Sequence, residues 1–195
     1  MSISYPLTLP TVTGIQDITF TAVNAVAMSM SPFTYKQQVF AHQGQRWEID
    51  VTLPPMKREN AEVWLAWLVS LKGLRGTFLL GDPNNATPRG SVGGTPVIQG
   101  ANQIGDTLNI DGCTASQTGW MKAGDYIQLG SASSASLHKV LTDANSDGGG
   151  NVTLDIWPNI NVAQADNATV VTSNTVGVFR LNDNTSNWSI NDVSN

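Results

Sequence analysis

The stretch R-W-E-I-D-V-T-L-P-P-M-K-R-E-N-A-E-V-W-L-A-W-L-V-S-L-K-G, residues 46–73, decides the fold class. Its first eight residues alternate, with Trp47, Ile49, Val51 and Leu53 on one side and Arg46, Glu48, Asp50 and Thr52 on the other. A period of two marks a strand with one face buried and one face wet. Pro54 and Pro55 end that strand, and a proline at the first helical position suits the start of a helix. Ala61, Trp64, Trp67, Leu68 and Leu71 then fall on one stripe of a helix expected over about 55–72. Glu59 and Glu62 lie near its positive end, Lys72 near its negative end, and Gly73 supplies the stop. The chain returns through a second strand ending at Asp82-Pro83. This is one amphipathic helix set into a β protein, and nothing in it has the residues of an active site.

Composition narrows the rest. Only 13% of the 195 residues are charged while 41% are hydrophobic, which excludes a disordered chain and a coiled coil. Gly 18, together with frequent Thr, Ser, Asn and Val, favours short strands joined by tight turns. A net charge of −5 with scattered basic residues argues against a nucleic-acid-binding face, which needs clustered Lys and Arg. Cys113 is the single cysteine, so neither an intrachain disulfide nor a zinc cluster can form. The N-terminus lacks a basic region followed by an apolar run, so no secretory signal is read there, and no apolar stretch is long enough to cross a bilayer. Folding in a reducing cytoplasm is the expectation.

Along the chain, early strands are expected at Ile18–Ala22 and Val26–Met30, followed by a hairpin turning near His42–Gln45. Residues 84–98 are rich in turn formers and read as a crossing segment. A second set of strands is expected at Thr107–Ile110, Tyr126–Leu129, Leu137–Leu141, Val152–Trp157 and Thr169–Thr172, spaced as in a small barrel or sandwich. Val176–Leu181 reads as a strand returning to the first region. The expected organisation is therefore a domain made of residues 1–90 and 173–195, with an inserted β module at 91–172. The first core should hold Trp47, Ile49, Val51, Trp64, Trp67, Leu68, Leu71, Phe78 and Leu80. The second should hold Leu108, Ile127, Leu129, Val140, Leu154 and Ile156. Trp188 and Ile190 are candidate anchors for a polar tail.

Few residues suggest chemistry. Asp143-Ala-Asn145-Ser-Asp147-Gly148 has the D-x-N-x-D-G spacing of the front half of a calcium loop, in which alternate oxygens face the ion. The twelfth place is Leu154 instead of a bidentate Glu, and the competing reading is a solvated turn built by Asp, Asn and Gly. His42 and His138 are the only histidines, no G-x-S-x-G occurs, and both read as structural. Asp106, Asp111, Asp125, Asp143, Asp147 and Asp155 share one region but mostly occupy turns, where Asp serves the backbone. Six tryptophans are many for this length. Trp47, Trp64 and Trp67 lie on apolar stripes and belong to a core, whereas Trp120 and Trp157 are candidates for stacking on sugar rings. No catalytic residue and no cofactor is assigned.

The run S-P-F-T-Y-K-Q-Q-V-F-A-H-Q-G-Q-R-W-E-I-D-V-T-L-P-P-M-K-R-E-N-A-E-V-W-L-A-W-L resembles tail proteins of long-tailed, siphovirus-like phages. L-K-G-L-R-G-T-F-L-L-G-D-P, M-K-A-G-D-Y-I-Q-L-G, H-K-V-L-T-D and G-N-V-T-L-D-I-W-P extend the resemblance over most of residues 5–181. The group it is most similar to is the distal tail and tail-tip ring proteins. The resemblance implies a tail-tube-like β-sandwich with one helix and a second β module, in a homo-hexameric ring between the tube protein and the host-recognition hub. It implies a structural virion protein, without membrane insertion or specific nucleic-acid binding. An acidic lumen, with Asp125 and Asp155 among its residues, would let DNA pass without adhering. The alternative function is a carbohydrate-binding module at residues 97–172 that contacts a host glycan through Trp120 or Trp157. A hydrolase acting through His138 is a third class.

Overall fold

The computed structural model describes residues 3–189. The alternating segment belongs to a much longer hairpin, in which β1 (Asp17–Met30) pairs antiparallel with β2 (Gln37–Thr52). Ala22 faces Trp47, Phe20 faces Ile49 and Ile18 faces Val51, so the expected apolar side is real. Trp47 and Ile49 are half-buried, but Val51 remains 39% exposed because it lies toward the end of the covered stretch. The two early strands expected at 18–22 and 26–30 are one strand with a register shift between Asn24 and Val26. The hairpin does not turn at His42–Gln45. It turns between Ser31 and Lys36, where Tyr35 adopts φ 55° and its N–H bonds the Ser31 carbonyl at 2.9 Å. His42, Gln43 and Gly44 instead form a bulge opposite Ala25. A Cβ on Gly44 would sit 3.1 Å from that of Ala25, so glycine admits the close approach.

The helix, α1, runs from Arg58 to Ser70, shorter than the expected 55–72. Leu53 and Pro54 each precede a proline, which steers them from helical angles, and Lys57 is still extended at ψ 153°. At the other end Lys72 turns left-handed (φ 54°), Gly73 comes next at φ 64°, and the Gly76 N–H caps the Leu71 carbonyl at 2.7 Å. Trp64 and Leu71 are buried on the expected stripe. Straps from the N-terminal segment hold the helix. Trp64 Nε1 donates to Thr13 Oγ1 (2.8 Å), Trp67 Nε1 to the Thr8 carbonyl (2.8 Å), and the Tyr5 hydroxyl to the Ser70 carbonyl (2.7 Å). Edge-on ring contacts run from Trp64 to Trp67 and on to Phe78, and a tilted one reaches Phe179. Phe78 lies in β3 (Phe78–Leu80), which pairs with a strand from near the other end of the chain.

Between those two partners in sequence comes a five-stranded antiparallel sheet. Its strands are β4 (Gly94–Ile98), β5 (Gly105–Cys113), β6 (Tyr126–Leu129), β7 (Ser136–Val140) and β8 (Val152–Ile160), in spatial order β4-β5-β8-β7-β6. The sheet curls as a half-barrel. The segment expected as a strand at Thr169–Thr172 makes only isolated bridges, yet these reach both edges: Thr169 to Val97 on β4 and Val171 to Gln128 on β6. Leu108, Ile127, Leu129, Val140, Leu154 and Ile156 are all buried inside, as their alternation predicts. β4 lies in the segment read as a crossing. The fold is mainly β with one α-helix. β9 (Gly177–Phe179) then pairs with β3. The principal core lies wholly in the half-barrel. The expected first core is divided: Trp47 packs toward the half-barrel, while Trp64, Trp67 and Phe78 form the separate aromatic row. Trp188 is 51% exposed, and Ile190 lies outside the described residues.

Candidate functional site

The β1–β2 hairpin leaves the body as an arm. The 14 residues of β1 span about 45 Å at strand geometry. From Asn24 to Gly44 every residue except Ser31 is exposed. Val26, Met28, Met30, Phe33, Tyr35, Val39 and Phe40 are the large apolar side chains among them, with Phe33 at the tip 92% exposed. Met28 stands opposite Val39 and Val26 opposite Ala41, so each pair shares a face of the ribbon. Across the bulge one residue of β1 opposes three of β2, which preserves the alternation on both strands. The face buried at the root by Phe20 and Trp47 therefore continues outward as a bare stripe of Val26, Met28, Met30 and Val39. No third strand pairs with either outer edge of the ribbon among the described residues. From Ile18 to Gln45 the only formally charged residue is Lys36.

The root is well fixed. Trp47 meets Phe20 and Trp157 edge-on at 5.8 and 4.4 Å and lies 6.1 Å from Tyr126, over whose ring the Lys139 ammonium sits at 4.6 Å. Three hydrogen bonds join arm and half-barrel: Trp47 Nε1 to the Leu137 carbonyl (3.0 Å), Trp157 Nε1 to Asn24 Oδ1 (2.7 Å), and the Asn159 N–H to Gln45 Oε1 (2.7 Å). The arm is thus held rigidly at its base and uncovered beyond it.

The residues singled out for chemistry are employed elsewhere. Trp120 is fully buried with Nε1 bonded to the Gly93 carbonyl at 3.0 Å, so it presents no face to a sugar. Trp157 is spent on the arm root. In the calcium-like loop, Asp143 accepts from the Ala123 N–H and Lys122 Nζ, both at 2.9 Å. Asn145 Oδ1 accepts from the Gly119 N–H (2.6 Å), and Asp147 accepts from Gly149 and Asn151 at 2.8 Å. Three neighbouring side chains thus serve three different backbone segments instead of one ion, which is the turn chemistry that short Asp and Asn side chains favour. Among the described residues no group of three or more His, Cys, Asp or Glu converges for a metal. Asp125 does not face a lumen: it is fully buried and accepts from the backbone N–H groups of Arg89 (2.9 Å), Gly90 (3.1 Å) and Lys122 (2.9 Å). Burial pushes the Cys113 thiol up to about 11, with Asp111 adding to the effect, so the thiolate is scarce and the residue unreactive.

His138 is buried, with Nδ1 2.7 Å from the Pro158 carbonyl and Nε2 2.9 Å from Ser136 Oγ. Burial holds its pKa below the ordinary 6.5, against the opposing pull of the Pro158 bond. As pH falls through about 6.5, the unfolded chain gains a proton that the folded chain still refuses, so stability drops across that window. Asp143 and Asp147 are held below their ordinary 3.8. The Ala123 N–H and then Lys122 do this for Asp143, and Asn151 does it for Asp147. Stability from these two is present above that value and lost only as pH falls further, so the windows separate. His138→Gln should flatten the melting temperature between pH 7 and 5 while leaving the loss below pH 4 in place. An unchanged slope between pH 7 and 5 would show that His138 does not set it.

No protein-family profile matches the chain, and no curated protein matches it. The arm as such is not displayed by any single motif. Its available signal was the long run from Ile18 to Gln45 with one charge, in which apolar residues continue on one parity after the covered stretch ends.

Proposed function

We propose that this chain is a structural subunit of a long-tailed phage tail, forming a homo-oligomeric ring at the distal tail between the tube and the host-recognition hub. The observation that carries the reading is the arm: a two-stranded ribbon with an apolar stripe and two open edges. Such a ribbon is marginal by itself in water, and long exposed edges are sites of pairing with other chains. Pairing of the outer β1 edge of one copy with the outer β2 edge of the next is head-to-tail and closes into a ring when the rotation permits. The resemblance of the sequence to distal tail proteins supports the same reading and supplies the six-fold expectation. In this reading the protein performs no bond chemistry. Electron microscopy of the purified chain and of the virion tests it. A six-fold ring at the distal end of the tail is expected. A chain that stays monomeric at high concentration and contributes no tail density overturns the proposal.

A further inference from the structure

Beyond a role in a ring, we infer that the groove at the arm root is a binding site for an anionic saccharide. The groove has a volume of about 380 Å³ and lies between β2, the facing ends of β7 and β8, and β9. Its lining includes two arginines, Arg46 and Arg180, and no Asp or Glu, in a chain whose net charge is −5. Arg46 is compensated by Glu48 at 2.5 Å. Arg180 has no acidic partner among the described residues. Only its Nη1 is engaged, by the carbonyls of Leu74 and Arg75, so the rest of the guanidinium edge remains for a carboxylate or phosphate. His138 also lines the groove, with its ring nitrogens engaged by the Pro158 carbonyl and Ser136 Oγ.

The remaining walls suit a sugar. Phe179 supplies half-buried aromatic surface, onto which the C–H face of a sugar ring packs. Side-chain amides supply donors and acceptors for hydroxyls. Gln45 is held through its Oε1 by the Asn159 N–H, which leaves its NH₂, and Gln164 is held through its Nε2 by the Val162 carbonyl at 3.1 Å, which leaves its oxygen. Asn161 is exposed at the rim. Apolar walls with a few oriented polar groups and one unmatched cation are the chemistry that recognises a sugar carrying an acid group. This moves the glycan contact from Trp120, which is buried, to a groove that no single motif marks in the sequence.

The test titrates the full chain with polysialic acid tetramer, hyaluronan hexasaccharide and a glycerol-phosphate teichoic acid fragment, monitoring tryptophan fluorescence. Maltohexaose and inorganic phosphate are the controls. Saturable binding of at least one acidic saccharide is expected, weaker at higher salt. It should fall at least about tenfold in Arg180→Gln and several-fold in Gln164→Ala, whose side chain bonds only the Val162 carbonyl and so leaves folding intact. Equal binding of maltohexaose, or of phosphate alone, overturns the inference, as does silence from every acidic saccharide. Binding that survives both substitutions places the ligand elsewhere and overturns it too. Binding seen for monomer and abolished in an assembled ring would assign the groove to subunit contact instead.

Discussion

Asp125→Ala is expected to lower the melting temperature by about 10 °C, the largest loss from any single carboxylate among the described residues. Asp125 has no exposed surface, and its two oxygens accept from three backbone N–H groups: Arg89 to Oδ1, and Gly90 and Lys122 to Oδ2. Those donors belong to the segment entering β4 and to the turn before β6. Removing the carboxylate leaves all three without an acceptor in a closed site, a cost of about 3–5 kcal/mol. The nearby Arg89 guanidinium, at 3.4 Å and 63% exposed, adds little through its charge. Arg89→Ala should therefore cost less than about 1 kcal/mol, because the Arg89 N–H remains. Asp155 is exposed and bonds only the Thr142 hydroxyl at 2.8 Å, so Asp155→Ala should change stability by no more than about 0.5 kcal/mol. Calorimetry on the three variants decides the matter. Equal shifts for Asp125→Ala and Asp155→Ala would refute a capping role.

The two aspartates show why the sequence separates elements better than roles. Lys122-Ala123-Gly124-Asp125 is legible as a turn before a strand, and the strand is Tyr126–Leu129. Nothing local in that run tells whether the carboxylate points to water or caps a segment 35 residues earlier. Periodicity succeeds where burial is decided by the element itself. Leu108, Ile127, Leu129, Val140, Leu154 and Ile156 alternate within strands that close over one another, and all six are buried. It fails where burial depends on how far a neighbour extends: Val51 and Met28 share parity with Trp47's face, but only Trp47 meets the half-barrel. Turn chemistry misled at Gln43-Gly44, where glycine serves a bulge, and the actual turn carries Phe33 and Tyr35. Strand β4 was obscured by Gly93, Gly94 and Pro96, which read as turn formers. Pro96 is tolerated because its carbonyl, which accepts from Val170 at 3.0 Å, is the group used there. The saccharide groove draws on β2, β7, β8 and β9, so no contiguous stretch of sequence displays it.

Pairing opposite charges across the bare stripe, as Met28→Lys with Val39→Glu, should abolish assembly while leaving the monomer folded. The two residues are direct cross-strand partners, so the new ion pair is compatible with the arm and does not break the hairpin. Both side chains are more than half exposed in the isolated chain, so their loss removes nothing from the half-barrel core. The melting temperature of the half-barrel should move by no more than a degree or two on the order of surface substitutions. At a subunit contact the same change forfeits the burial of two large apolar side chains, about 4 kcal/mol, which is roughly a thousandfold per contact. A ring multiplies that loss around its circumference, so light scattering during size exclusion should show monomer in place of a ring. The same charge pair at Ser29 and Gln38, also direct partners but on the opposite face, provides the control. If both pairs dissociate the assembly equally, charge on the arm is disruptive and the stripe is not the contact. If neither does, the stripe is not the contact, which leaves the open backbone edges of β1 and β2 as the part of the arm that pairs. Dissociation confined to the Met28–Val39 pair would identify the face on which neighbouring copies meet.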